Sequence, residues 1–158
     1  MKAAGLKVRR RAAGLGQLTQ VAAMPYRRRD DLEILLVTSR ETARWVIPKG
    51  WPMTGKTPRE SAACEAFEEA GVAGAMGDAA LGEYNYIKFI KNGEGLPCRV
   101  TVFALAVEQE SDSWPEQHQR SLCWFPWLLA ADAVHEPGLK AIIRDFAEQL
   151  GSAKPVAA

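Results

Sequence analysis

The sequence predicts an α/β protein in which a mixed β-sheet lies between helices. Three observations carry that prediction. Runs rich in β-formers crowd the middle of the 158-residue chain, an alanine-rich segment with complete helix start and stop signals interrupts them, and an amphipathic helix follows the last of them.

Taken in order, residues 1–14, "MKAAGLKVRRRAAG", read as a basic N-terminal tail, and 15–150 as one folded domain followed by a short tail over 151–158. "QLTQVAAMPYR" and "LEILLVTS" are strands separated by the polar turn "RRDD", the second of them a buried apolar run. "RWVIPKG" is a short strand ended by Pro48 and Gly50. Thr57 and Glu60 then stand at capping-box spacing with Pro58 at the first helical position, and Gly71 supplies the stop, so a helix is expected from 58 to 70. Its apolar stripe is read as Ala63, Phe67 and Ala70, packing on the sheet. "LGEYNYIKFI" and "CRVTVFALAVEQ" form a hairpin across "KNGEGLP". "SLCWFPWLLAADAV" is a strand that Pro126 stops, followed by a helical turn. In the terminal helix, Leu139, Ile142, Ile143, Phe146 and Leu150 recur at helical spacing.

Composition excludes several classes of function. At 17.3 kDa and 47% apolar residues the chain suits one domain with a real core, and no apolar run approaches the roughly 20 residues of a membrane helix. Cys64, Cys98 and Cys123 are odd in number and widely spaced, which argues against a disulfide framework or a zinc site and for a cytoplasmic setting. The net charge of +1 argues against a stable nucleic-acid partner. Eight Lys and Arg residues fall within residues 1–29 without an acid, which leaves −7 on the rest. A transit peptide is the minor reading of that basic head, because it holds almost no hydroxyl residues.

The chemistry gathers in "PKGWPMTGKTPRESAACEAFEEAGV", residues 48–72. At about 100° per residue, Glu65, Glu68 and Glu69 share one arc of roughly 100° on the predicted helix. Like charges so placed repel, so stability alone does not explain them. Three carboxylates form a hard-oxygen cluster of the kind that holds Mg2+ or Mn2+. The loop before the helix brings Lys49, Gly50, Gly55 and Lys56 to its N-terminal side, where glycines permit close approach and lysine neutralises phosphate. Trp51 in that loop is a candidate stacking residue.

This stretch resembles the Nudix box, G-x5-E-x7-R-E-U-x-E-E-x-G-U with U aliphatic, running here from Gly50 through Lys56, Cys64, Glu65, Phe67, Glu68 and Glu69 to Gly71 and Val72. Spacing is kept throughout. Flanking segments over residues 18–147 look like the diphosphoinositol polyphosphate phosphohydrolase branch. The resemblance implies a Nudix-like α/β/α sandwich and a Mg2+-dependent hydrolase, with Mn2+ as a substitute ion. It would cleave a phosphoanhydride in a small nucleoside-diphosphate-linked, dinucleoside polyphosphate or diphosphoinositol polyphosphate substrate, as a monomer or homodimer. It implies Gly50, Glu65 and Glu69 as metal ligands, and Glu68 as the base within the same metal cluster. It further implies phosphate contacts at Ser39, Arg40, Arg99, Arg120 and Lys140, beside Lys49 of the loop. Among later acids, Glu110, Asp112 and Glu116 are open candidates for a further ligand.

Two positions depart from the pattern. Lys56 stands where the box has an acid, and Cys64 where it has an arginine that holds the glutamates, a task beyond a weak thiol donor. Those departures support the alternative of a module that binds nucleotides or inositol phosphates without cleaving them.

Overall fold

The computed structural model describes residues 10–11 and 17–151. Most of the predicted tails, 1–14 and 151–158, lies outside the described residues. The elements in chain order are β1 (Arg10–Arg11), β2 (Leu18–Arg28), β3 (Leu32–Thr38), β4 (Trp45–Val46), β5 (Lys49–Gly50), α1 (Pro58–Ala70), β6 (Val72–Met76), β7 (Gly82–Phe89), β8 (Gly95–Glu110), β9 (Leu122–Pro126), α2 (Trp127–Ala133) and α3 (Pro137–Gln149). Among the described residues, no helix is long and apolar enough to cross a membrane.

The strands form one mixed sheet with β4, β3, β2, β8 and β6 side by side. β2 and β8 run parallel from Leu18 opposite Cys98 to Tyr26 opposite Ala106, while the other pairings are antiparallel. Both faces of the central strands are covered, which is why β2 and β3 read as almost continuous apolar runs. Successive side chains leave opposite faces. On one, Leu18, Ala22, Met24, Ile34, Leu36, Val100 and Val102 pack with Trp127, Leu139, Ile143 and Phe146 of α2 and α3. On the other, Val21, Ala23, Leu35, Val37, Phe103 and Leu105 pack with α1. The α/β/α sandwich is therefore as expected.

α1 has the predicted ends. Thr57 accepts from the Glu60 N–H at 3.1 Å, Glu60 reaches back to the Thr57 N–H at 3.4 Å, and Gly71 closes the helix at φ 67° with its N–H donating to the Phe67 carbonyl at 2.9 Å. The predicted apolar stripe is corrected. Ala62, Ala66 and Ala70 are the buried row, joined by Ser61, Glu65 and Glu69, whereas Phe67 points outward and is 40% exposed. An all-alanine row at i, i+4 and i+8 lets the helix lie close to the sheet, and that closeness buries the neighbouring carboxylates.

Three further differences follow from pairing that local pattern does not encode. "RWVIPKG" is not one strand: Pro48 separates β4, which pairs with β3, from β5, which pairs with β2. The hairpin loop is shorter than read, because β8 starts at Gly95 rather than Cys98. β6 was not anticipated from "VAGAM", which lacks alternation. Its register slips between Ala73 and Gly74, and a Cβ on Gly74 would fall 1.9 Å from the Ala106 carbonyl oxygen.

Candidate functional site

The C-terminal half of α1, the Gly/Pro loop and the sheet meet at a cleft of about 400 Å³. Its lining includes Ser39, Arg40, Lys49, Gly50, Trp51, Glu65, Glu69, Glu116, Arg120 and Glu136. Chain geometry explains the assembly. β5 pairs with β2 through Val21 opposite Gly50 and Ala22 opposite Lys49, which holds this dipeptide beside α1.

Gly50 and Glu65 touch so closely that a Cβ on Gly50 would lie 2.2 Å from Glu65 Oε1 and 2.7 Å from Oε2. The glycine is needed for this approach and not for an unusual φ, since Gly50 is absent from the positive-φ residues. Glu65 is 1% exposed and Glu69 5%. Glu69 Oε2 accepts the Lys49 backbone N–H at 2.9 Å, and Glu69 Oε1 is 2.8 Å from Arg120 Nη2. Burial pushes the Glu69 carboxyl up to about 7, against the opposing pull of Arg120 and Lys49. Burial likewise lowers the Lys49 ammonium below its ordinary value, with Glu69 and Glu136 acting the other way. Lys49 Nζ also lies 5.3 Å from the centre of the Tyr86 ring.

Segment 111–121 is clamped onto the C-terminal end of α1. Glu116 N–H donates to the Glu68 carbonyl at 2.9 Å, Trp114 Nε1 to the Glu69 carbonyl at 3.2 Å and Ser111 N–H to the Gly71 carbonyl at 2.8 Å, so carbonyls that a helix end leaves orphaned are satisfied. The clamp delivers Arg120 and Glu116 to the cleft. Of the three later acids considered, Glu116 is the one that lines it, whereas Glu110 accepts from Trp124 Nε1 and the Asp112 backbone carbonyl accepts from Gln117.

The other expected site residues divide. Ser39 sits in a turn where its hydroxyl contacts Thr42, and Arg40 bonds Gln119 at 2.9 Å; both line the cleft. Glu68 shares the arc of Glu65 and Glu69 but is half-buried and does not line the cleft, because a 100° arc is too wide for one groove to receive whole. Arg99 stands outside, 3.8 Å from Glu83. Lys140 is also elsewhere: its ammonium donates to the carbonyls of Ala131 at 2.9 Å and Asp132 at 3.2 Å, completing the end of α2. Both lysine and arginine were placed by local segment similarity, which carries no information on where a strand face or helix end would spend the charge. Tyr86, Gln20 and Glu136 were missed. The Tyr86 hydroxyl donates to Gln20 Oε1, and Glu136 Oε2 is buried with no hydrogen-bond partner among the described residues. Nothing in their sequence surroundings marks them.

The donor set suits a hard divalent ion in its chemistry: two buried carboxylates, with the backbone of Gly50 against one of them, and oxygen throughout. Among the described residues, no three His, Cys, Asp or Glu side chains form a ready cluster.

Comparison with known proteins finds a matching family, sequence relatives and structures of the same fold. Residues 18–146 match the NUDIX domain family. Nudix hydrolase 16, mitochondrial, of Arabidopsis thaliana is 33% identical over 119 residues, covering 73% of this chain and 66% of that protein. Nudix hydrolase 18, mitochondrial, of the same plant is 28% identical over 151 residues, covering 89% and 84%. Among solved structures, a C. elegans Ap4A hydrolase binary complex superposes with a TM-score of 0.64 at 18% identity, over 84% of this chain and 97% of that one.

Proposed function

The chain belongs to the Nudix family, and from that premise we propose that it is a Mg2+-dependent hydrolase that splits a phosphoanhydride bond in a small nucleotide-like or inositol-based diphosphate. The observation that carries the proposal is the pair of buried carboxylates, Glu65 and Glu69, turned from one helix face into a cleft beside the Gly50 backbone and Lys49. Carboxylates this buried, and adjacent on one helix, call for a positive ligand.

When bound, a divalent ion supplies charge neutralisation at the diphosphate. Glu65, Glu69 and the Gly50 carbonyl would hold it. The chain does the rest. Glu68, on the same arc but outside the cleft lining, is the base that the box pattern implies, taking a proton from water at the margin of the cleft. Lys49 lies at the cleft wall and receives phosphate oxygens, and Arg40, exposed at the mouth, steers and binds the polyanion. Trp51 gives the wall an apolar surface for the remainder of the substrate. The three cysteines are unpaired thiols, which suits the proposed cytoplasmic setting, although the two plant relatives carry "mitochondrial" in their names.

The substrate panel for the test holds diadenosine polyphosphates, ADP-ribose, nucleoside triphosphates and diphosphoinositol phosphates, each with Mg2+ or Mn2+. Release of phosphate or nucleotide that vanishes in Glu68→Gln, with the fold intact, is the expected result. Binding without release under every metal would instead establish a sensor, the reading that Cys64 and Lys56 favour.

A further inference from the structure

Position 64, directly before Glu65, is a thiol, and the last turn of α1 has no basic residue. Arg59, at the other end of the helix, is committed to Asp78 at 2.7 Å. Two buried carboxylates one turn apart thus receive no cation from their own helix. The cation comes from a distant part of the chain.

We propose that Arg120 is the positioning residue of the site, orienting Glu69 from the segment between β8 and β9 in place of a cation on α1. Its guanidinium spans three acceptors: Nη2 meets Glu69 Oε1 at 2.8 Å and Glu116 Oε1 at 3.1 Å, and Nη1 donates to the Thr38 carbonyl at 3.0 Å. A planar fork meets all three from two nitrogens held apart in fixed directions, whereas an ammonium offers its three donors from one freely rotating point. With Oε1 held by Arg120 and Oε2 by the Lys49 N–H, the plane of the Glu69 carboxylate is set, while lone pairs on both oxygens remain for an ion.

The surroundings separate this role from substrate binding. Arg120 is 8% exposed, whereas Arg40, which reaches the same Glu116 at 3.3 Å, is 57% exposed. Arg40 can swing to a phosphate at little cost. Arg120 cannot, because leaving would take from the buried Glu69 its one side-chain cation within ion-pair distance among the described residues. Its neighbours in the chain are held too: Ser121 N–H donates to Thr38 Oγ1 at 2.9 Å, and Glu116 and Trp114 bond the last carbonyls of α1. The residue expected from sequence to grip substrate therefore grips the carboxylate instead.

The test measures Mn2+ binding by calorimetry without substrate, alongside steady-state kinetics at saturating metal. Arg120→Lys keeps the charge but loses the fork. We expect its Mn2+ dissociation constant to rise about 10- to 100-fold and kcat to fall with it, with KM changed less than about twofold. In a Glu69→Gln background the same substitution should add no further loss of metal affinity. Arg120→Gln is the second variant if Arg120→Lys folds poorly: removing a positive charge beside the carboxylates would by charge alone tighten Mn2+ binding, so a weakened affinity there is expected only from lost orientation. Unchanged metal affinity in folded Arg120→Lys with a KM raised about tenfold or more would make Arg120 a substrate contact and overturn the proposal. So would Mn2+ bound more tightly by folded Arg120→Gln, an additive loss in the double variant, or wild-type protein that binds no divalent ion. The calorimetric arm needs no turnover, so a failure of the hydrolase reading, on which only the kinetic arm rests, is recognisable separately.

Discussion

Replacing Gly50 with alanine tests whether the closeness of β5 to α1 is what sets the site. The added Cβ would sit 2.2 Å from Glu65 Oε1 and 2.3 Å from its Cδ, against an ordinary carbon–oxygen contact of about 3.3 Å. Glu65 or the β5 backbone must then shift by about 1 Å. Because Glu65 is 1% exposed it has no open space to enter, so the overpacking should cost about 1–3 kcal/mol. For a domain of this size that is a fall in Tm of about 3–10 °C. A 1 Å displacement of a reacting group is worth about 100-fold in rate, so kcat should fall by about two orders of magnitude. The assay is phosphate release at saturating Mg2+ paired with a thermal melt. Gly55→Ala is the control: it adds a side chain at φ 78° with nothing within 4 Å, and it should cost stability while sparing turnover. Gly50→Ala with wild-type kcat and metal affinity would refute the argument that this contact places Glu65.

Thr57→Ala removes the cap of α1 and should cost about 1 kcal/mol, read as a lowered denaturation midpoint with an unchanged rate. Gly71→Ala meets both a left-handed φ of 67° and the Trp114 ring 2.3 Å from the new Cβ. It should cost about 2–4 kcal/mol and loosen the clamp, lowering Tm and activity together. The pH dependence has a definite sign. Burial raises the folded Glu69 carboxyl from 4.5 to about 7, so its contribution to stability is fully present below pH 4.5 and is lost as pH rises through about 7. A divalent ion competes with that proton, so the gain in Tm on adding Mg2+ over EDTA should be larger at pH 8 than at pH 6, and the difference should shrink in Glu69→Gln.

Much of the fold was legible because its signals are local. Thr57, Pro58, Glu60 and Gly71 name the two ends of α1 without reference to any other element, and the spacing from Leu139 to Phe146 names the buried side of α3. The stripe on α1 was misread for an equally physical reason. Side-chain size favoured Phe67, but close helix–sheet packing selected the smaller row of Ala62, Ala66 and Ala70. β6 escaped because Val72–Met76, with small residues around its bulge, carries no polar–apolar alternation.

The sequence by itself determined that three glutamates would share one helical arc behind a glycine- and lysine-bearing loop, since spacing along a helix becomes an angle whatever surrounds it. Which of them turn inward was decided by tertiary structure. Pairing of β5 with β2 brings Gly50 against Glu65, and the clamp on the end of α1 carries Arg120 to Glu69. A charge can be read from a sequence, but the acceptor on which it is spent depends on contacts between segments far apart in the chain. That is why Arg120 became an orienting group, Lys140 a helix-end donor, and Arg40 the cation left at the mouth of the cleft.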